Sequence, residues 1–151
     1  MPGAEHAICQ LLYRYAEAMD AGRLEDAAAL LRHARLHTGA GGKLDAEAML
    51  ALWRRMIILS PCGTPRTRHL ITNPIVEVDT ATRTAQARSC YTVLQATDGF
   101  PLQIIASGRY LDRFAEIDGE WRFVERDYRG LDFTGDLSRH LRGMASGAAQ
   151  G

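Results

Sequence analysis

Residues 67–79 read TRHLITNPIVEVD, in which a histidine precedes a run of residues that favour a β-strand. Five aliphatic residues supply the strand signal: Leu70, Ile71, Ile75, Val76 and Val78. Because side chains alternate across a strand, His69 is expected to share a face with Ile71. Proline cannot donate to a sheet ladder, so Asn73-Pro74 predicts a bulge or a sheet edge. The strand needs no imidazole for its stability, which leaves the role of His69 to be explained.

Three further strands are predicted after this one, because residues 66–133 are rich in Thr, Val, Ile, Tyr and Phe and contain turn sequences. The turns are expected at Asp79 to Thr82, at Asp98-Gly99 and at Asp118-Gly119, and an Asp-Gly pair between strands is a strong hairpin signal. The four strands should form one antiparallel meander. Alternate residues of the third strand should form one face that packs against helices: Leu102, Ile104, Ala106, Gly108 and Tyr110.

Three helices are predicted before the strands. Apolar residues at helical spacing predict the first over residues 4–20, ended by Gly22, and a second, shorter helix directly after that glycine. Asp45 is a plausible N-cap for the third helix, whose buried face includes Met49 and Trp53. Residues 34–43, between the second and third helices, offer at most one short strand and a glycine-rich loop.

Helices followed by a meander indicate an α+β fold. A chain of 151 residues can bury roughly 70% of its unfolded surface, so one domain with a sizeable core is expected. We expect that domain to span residues 1–143, with GDLSRHLRG (135–143) forming a short docking helix. Residues 144–151 are expected to form a disordered tail.

The charge balance argues against nucleic acid and membrane partners. Lys and Arg number 18, and Asp and Glu also number 18, so no net field favours phosphates or anionic lipid. The N-terminus lacks the apolar segment of a signal peptide, and no 18 apolar residues run together. We therefore expect a soluble protein of the cytoplasm.

The sequence offers little support for a metal site. Its three cysteines, Cys9, Cys62 and Cys90, form no C-x-x-C pair and are expected to be ordinary reduced thiols. His33 and His37 have i, i+4 spacing but fall across a helix end, so a solvated pair is favoured over a metal site. We expect no metal and no cofactor.

Three stretches together resemble the nuclear transport factor 2-like superfamily. They are YRYAEAMDAGRLEDAAALL (13–31), RTRHLITNPIVEVD (66–79) and IDGEWRFVERDYRGLDFTGDLSRHL (117–141). More narrowly they are similar to its SnoaL-like branch and to the beta subunits of aromatic-ring-hydroxylating dioxygenases. The resemblance implies a cystatin-like cone, in which a curved antiparallel sheet wraps around helices and an apolar pocket opens between them. It also implies a homodimer or homotrimer formed through the outer face of the sheet.

The same resemblance implies a Tyr/Asp/His site and a small hydrophobic ligand. In the dehydratase-like members a tyrosine on the first helix, an aspartate at its end and a histidine on the strand after the third helix meet in the pocket. The matching positions here are Tyr15, Asp20 and His69. Further candidates for contacts with a bound molecule are Trp53, Tyr91, Tyr110 and Arg129.

The residues themselves make a weaker case for this site. A carboxylate at a helix C-terminus is disfavoured by the helix dipole, so Asp20 should have another partner, either an imidazole or the backbone in an Asx-turn. Tyr15 is expected to be buried, and its hydroxyl then needs a partner, which a core hydrogen bond would also provide. On an ideal helix Tyr15 and Asp20 lie about 140° apart, so they converge only if the helix unwinds before Gly22.

Two functional hypotheses follow from these residues and from the resemblance. The first is a cofactor-independent dehydratase or isomerase of a hydrophobic ring compound bearing a carbonyl, with His69 as base, Asp20 orienting it and Tyr15 donating to the enolate oxygen. The second is a non-catalytic subunit or a small-molecule binding module. A carrier that only sequesters apolar ligands is a further variant, in which Asp20 and His69 would not touch.

Overall fold

The computed structural model describes residues 3–39 and 42–144. Three helices occupy Ala4–Asp20 (α1), Leu24–Leu30 (α2) and Ala46–Met56 (α3). The strands of the described residues are Arg35–His37 (β1), Lys43–Leu44 (β2), Thr67–Asp79 (β3), Thr84–Thr97 (β4), Phe100–Ile117 (β5), Glu120–Asp127 (β6) and Leu131–Thr134 (β7). Apart from Met144, the predicted tail lies outside the described residues. Within this part of the chain no helix is long and apolar enough to cross a membrane.

The helices begin and end where local sequence signals predict. Gly22, with φ +74°, follows the end of α1 and allows the chain to turn directly into α2. Asp45 caps α3, because its side chain accepts a hydrogen bond of 2.8 Å from the Ala48 backbone N–H. The buried side of α1 carries an apolar stripe at helical spacing, made by Ile8, Leu12, Tyr15 and Met19. All three helices pack with this kind of face against one side of the sheet.

The sheet has the order β2-β1-β6-β5-β4-β3, and β7 pairs separately with β5. The long strands β3 to β6 form the predicted antiparallel meander. The prediction of at most one short strand in residues 34–43 is wrong, because β1 and β2 form a small hairpin closed by the Thr38 N–H and the Gly42 carbonyl. Since β1 pairs in parallel with β6, the sheet is mixed rather than purely antiparallel.

Two of the register irregularities in the sheet concern the predicted faces of β3 and β5. The predicted irregularity at Asn73-Pro74 is confirmed, and β3 is also an edge strand. A second bulge at Ile105 was not predicted, and it reverses the alternation along the first half of β5. As a result Leu102 and Ile104 are 70% and 59% exposed on the outer face, which contradicts the single inward face predicted for this strand. Its other predicted members, from Ala106 to Tyr110, are buried as expected.

The predicted docking helix over residues 135–143 does not form. Both the backbone N–H and the hydroxyl of Ser138 donate to the Asp136 carboxylate, and such local bonds compete with helical hydrogen bonds. The segment nevertheless docks, because Gly135 N–H donates to the Ile105 carbonyl and Leu141 bridges to Ile57 at the end of α3. We call residues 135–142 the closing segment.

Gly22 should be the glycine at which substitution is most harmful, because a Cβ there would lie 2.2 Å from the Gly63 carbonyl oxygen. We expect Gly22→Ala to lower the free energy of unfolding by at least about 2 kcal/mol more than Gly119→Ala does. Gly119 is the matched control, because its φ is also positive, at +77°, but its Cβ would meet nothing within 4 Å. Urea unfolding measures both variants, and equal losses would contradict the close approach.

Candidate functional site

A cavity of about 390 Å³ lies between helices α1 and α3, the inner face of the sheet and the closing segment. Its walls are mainly aromatic and aliphatic, and they include Tyr15, Trp53, Tyr91, Tyr110, Tyr128, Met19, Met49, Met56, Val93 and Leu137. The polar groups that reach it are few: tyrosine hydroxyls, Thr38 and the imidazoles of His69 and His140. An apolar pocket of this size with a few polar groups is typical of a small-molecule site.

His69 lies in the cavity wall with its ring held by Asp20. The His69 Nδ1 is 2.5 Å from the Asp20 Oδ1, and the two side chains are only 10% and 14% exposed. Asp20 also accepts a 2.7 Å bond from the His69 backbone N–H and a 2.9 Å bond from the Thr67 hydroxyl. With Nδ1 directed at the carboxylate, Nε2 is the ring nitrogen left for a ligand.

Asp20 reaches His69 from outside the cavity. Its carboxylate lines a groove between α1 and β3, together with Tyr13 and Glu17, whereas the His69 ring lines both groove and cavity. The helix runs to Asp20 without unwinding, so, as the 140° separation requires, Tyr15 and Asp20 do not converge in the cavity. The Asx-turn alternative is wrong, because the carboxylate oxygens bond to β3.

The charge state of Asp20 follows from its partners. Burial alone would raise the pKa of this carboxyl, but the hydrogen bonds and charge of His69 outweigh it and hold the pKa below the ordinary value of 3.8. Asp20 is therefore a carboxylate at neutral pH. Its negative charge lies directly beside the His69 imidazole.

Tyr15 enters the cavity from the opposite side of α1 and pairs with Tyr128. The Tyr128 hydroxyl donates to the Tyr15 oxygen over 2.9 Å, which leaves the hydrogen of Tyr15 free to donate to another acceptor. Burial raises the pKa of Tyr15 well above its ordinary value of 10, so the group remains a neutral phenol. Tyr15 can thus act as a hydrogen-bond donor in the cavity.

A buried ion pair supports this wall of tyrosines. Arg126 and Asp112 are both fully buried and form a bidentate pair with bonds of 2.7 and 3.0 Å. The Arg126 guanidinium carbon lies 3.7 Å from the Tyr110 ring centre and 4.4 Å from that of Tyr15. The cation therefore lies against the phenol rings, where it is attracted to the negative faces of the rings and to their oxygens.

The four proposed ligand contacts separate into two groups. Trp53, Tyr91 and Tyr110 line the cavity, and the rings of Tyr91 and Tyr110 are stacked with centres 4.3 Å apart. Arg129 does not line it. Its guanidinium pairs with Asp127 in a depression on the other face of the sheet, where water remains available to both charges.

Two cavity residues were missed by sequence reasoning. Tyr128 follows the last residue of β6, and no local pattern shows that its hydroxyl meets Tyr15. His140 belongs to the closing segment, and the prediction of a helix there concealed its position. Burial and the nearby imidazole of His69, against an opposing effect of Asp20, together lower the pKa of His140 to about 4. His140 is therefore neutral at pH 7.

The other histidines do not suggest a metal centre. His33 is exposed, as predicted. His37 is half-buried and pairs with Glu125, so the two imidazoles do not form the predicted solvated pair. Among residues 3–39 and 42–144, no group of three or more His, Cys, Asp or Glu side chains is placed to hold a metal ion.

Comparison with protein families shows to which family the chain belongs. The model of the SnoaL-like domain matches residues 3–127. The chain belongs to the SnoaL-like domain family. Solved structures with similar folds include Rv3472(D26N) of Mycobacterium tuberculosis, a protein of unknown function, with 27% identity, a TM-score of 0.64, and 82% of this chain and 69% of that chain covered. Curated proteins gave no significant match.

Two further similar structures come from Novosphingobium aromaticivorans. One is a proposed scytalone dehydratase, with 21% identity, a TM-score of 0.63 and 83% of each chain covered. The other is the beta subunit of a proposed aromatic-ring-hydroxylating dioxygenase, with 21% identity, a TM-score of 0.66, and 91% of this chain and 95% of that chain covered. At this identity both show a shared fold with this SnoaL-like domain, and they do not establish a shared activity.

The buried neutral state of His140 predicts a pH dependence of stability. In the unfolded chain His140 binds a proton as the pH falls below the ordinary imidazole pKa of 6.5. In the folded protein it does so only near pH 4, because its pKa is lowered. The free energy of unfolding should therefore decrease over that interval, by about 3 kcal/mol from this residue alone. Urea unfolding at several pH values should show a smaller decrease for His140→Phe.

The exposed His33 provides the control for this measurement. His33→Phe should keep the wild-type dependence between pH 4 and 6.5, because it makes the same substitution at an exposed position and leaves His140 in place. Asp20 does not interfere with this measurement. Its pKa is lowered in the folded state, so the stability that its carboxylate contributes is lost only when the pH falls below the ordinary carboxyl pKa of 3.8. An unchanged slope in His140→Phe would contradict the assignment.

Proposed function

We propose that this SnoaL-like protein is a cofactor-independent enzyme that removes a proton next to the carbonyl of a hydrophobic ring compound, leading to loss of water or to isomerisation. The observation that supports it is the Asp20–His69 contact at the wall of an apolar cavity. A carrier that only sequesters apolar ligands has no need of this contact. The fold shared with a proposed scytalone dehydratase is consistent with the proposal.

His69 is the proposed base. A neutral imidazole at this position can take a proton from carbon through Nε2, because Nδ1 is engaged by the Asp20 carboxylate. Asp20 is a positioning residue, since it touches the imidazole and lies outside the cavity. Its negative charge stabilises the imidazolium that forms when the proton is transferred.

Tyr15 is the proposed donor to the carbonyl oxygen. As the proton leaves carbon, negative charge develops on that oxygen, and a donor already in place stabilises it by about 3 kcal/mol. Tyr15 meets this requirement because its oxygen accepts from Tyr128 while its own hydrogen remains available. The proton taken by His69 is then returned to the product, either to another carbon in an isomerisation or to a departing hydroxyl in a dehydration.

The walls of the cavity favour a flat, apolar substrate. Trp53, Tyr91 and Tyr110 present ring surfaces, and the remaining lining is mostly Met, Leu, Ile and Val. Such a lining excludes water, which strengthens hydrogen bonds to a developing enolate.

Proton abstraction can be measured without knowing the natural substrate. The probe is 2-tetralone, a bicyclic ketone with acidic hydrogens beside its carbonyl, dissolved in D2O and followed by proton NMR. The wild-type protein should accelerate exchange of these hydrogens for deuterium above the buffer rate. His69→Ala should lose this acceleration by at least about 100-fold, since a positioned base contributes 10²–10⁴-fold.

Two comparisons make this test specific. His33→Ala removes an exposed imidazole and should exchange at the wild-type rate. His69→Ala should keep its circular dichroism spectrum, which separates loss of the base from loss of the fold. Acceleration that survives in His69→Ala would refute His69 as the base, and a wild-type protein that binds 2-tetralone without exchanging it would favour the non-catalytic binding module or subunit instead.

The exposed face of the sheet favours a homo-oligomer. Leu102, Ile104 and Phe133 lie on the side of the sheet opposite the helices and are 70%, 59% and 71% exposed. Large apolar side chains clustered on one sheet face are typical of protein contacts. We propose that a second or third copy of the chain covers this face.

Phe133→Glu should convert the oligomer to a monomer, because a carboxylate placed in an apolar interface would be buried without a partner. Light scattering coupled to size exclusion should give a mass of two or three times 16.7 kDa for the wild type and 16.7 kDa for the variant. Leu59→Glu is the control, because Leu59 is an exposed leucine, 44% accessible, in the connection after α3. A wild-type monomer would rule out the interface.

A further inference from the structure

His140 is held by its backbone at the edge of the cavity. Its N–H donates to the Leu137 carbonyl over 3.0 Å, and its own carbonyl accepts from the Ile58 N–H over 2.9 Å. The buried amide of Gln95 holds the preceding residue by donating to the Arg139 carbonyl over 3.1 Å. Because the main chain is fixed on both sides, the backbone of His140 is held in place before any ligand arrives.

The side chain of His140 lacks the partners that buried polar groups usually have. The residue is 9% exposed and lines the cavity, yet its Nδ1 has no hydrogen-bond partner among the described residues. Leaving such an atom unpaired is costly, and native proteins contain few of them. The contrast with His69, whose Nδ1 bonds to a carboxylate, is clear. Nδ1 itself is enclosed by protein atoms, so a ligand in the cavity would bond to the other ring nitrogen, Nε2.

The chemistry of the missing partner follows from the groups around it. The titratable groups that influence His140 are His69 and Asp20, and the second of these lies behind the first, outside the cavity. Among the residues that the structure describes, no cationic side chain lines the cavity beside His140. In either neutral tautomer Nε2 offers one donor or one acceptor. A hydroxyl can pair with both forms, whereas a carboxylate or a phosphate can pair only with the donor form.

We propose that His140 is a substrate-binding residue that hydrogen-bonds a ring hydroxyl, so that the preferred ligand carries both a carbonyl and a separate hydroxyl. This inference rests on the proposed function, which places the carbonyl at Tyr15. It concerns a residue beyond the family match, since the SnoaL-like domain model ends at residue 127. His140 would determine which ring compounds bind, whereas His69 removes the proton.

The test compares ligands that differ by one hydroxyl. Dissociation constants for 2-tetralone and for its 5-, 6-, 7- and 8-hydroxy derivatives are measured by NMR titration of the backbone amides. At least one hydroxylated compound should bind the wild-type protein about tenfold more tightly than 2-tetralone, which is the effect of one satisfied buried hydrogen bond. His140→Phe, which keeps a ring but no hydrogen-bonding nitrogen, should reduce this preference to less than about twofold.

Two further variants distinguish a lost hydrogen bond from a damaged pocket. His33→Phe should keep the full preference, because it makes the same substitution at an exposed position. His140→Gln should restore part of it, since an amide can both donate and accept. If His140→Phe is unstable, the wild type is compared with His140→Gln instead. The nitrogen chemical shifts of the His140 imidazole are then also measured, and they should change when the hydroxylated ligand binds but not when 2-tetralone binds.

The outcomes separate this inference from the proposed function. Equal preference in wild type and His140→Phe, or no preference in the wild type, would overturn the role of His140 while leaving proton exchange at His69 untouched. A wild-type protein that does not accelerate hydrogen exchange would refute the proposed function, even if the hydroxyl preference is present in the wild type and absent in His140→Phe. Failure of every tetralone to bind the wild-type protein would overturn both.

Discussion

The Asp20 carboxylate joins the end of α1 to the start of β3, and the geometry of the candidate site depends on that junction. As an edge strand, β3 leaves backbone N–H groups unpaired, and Asp20 accepts one of them at His69. The same carboxylate accepts from the Thr67 hydroxyl and contacts the His69 Nδ1. One side chain thus docks a helix, satisfies a sheet edge and sets the orientation of an imidazole. Because these effects share one group, Asp20 cannot be altered without disturbing both the fold and the site.

A second constraint comes from the Arg126–Asp112 pair behind the tyrosines. Burying two charges is costly, and replacement of such pairs by apolar residues is often neutral for stability, so the pair is poorly explained as a stabilising device. Its position gives a better explanation. The guanidinium contacts the rings of Tyr15 and Tyr110, while Asp112 neutralises it from the side. The cation can therefore polarise the phenols toward donating hydrogen bonds without attracting an anionic ligand into the cavity.

The parts of the molecule that could be predicted from sequence are those fixed by local chemistry. Helix ends at Gly22 and Asp45 and the bulge at Asn73-Pro74 were predictable because glycine, aspartate and proline act within a few residues. The bulge at Ile105 has no such signal, so the faces of β5 were partly misassigned. The candidate residues Tyr15 and His69 do share a cavity, but it was the resemblance to a family that suggested them, and no local pattern places them together. His140 depends on a distant Gln95 and on α3, which no local pattern shows.

The two imidazoles of the cavity differ in one respect that separates their possible roles. His69 has a carboxylate on Nδ1, so a proton gained at Nε2 is compensated by a nearby negative charge. His140 has no such partner, and burial together with the neighbouring imidazole disfavours its protonation. In the proposed mechanism only the first accepts a proton, and the second exchanges neutral hydrogen bonds. Two histidines in one small cavity are therefore not interchangeable, and the difference is set by Asp20, a residue outside the cavity.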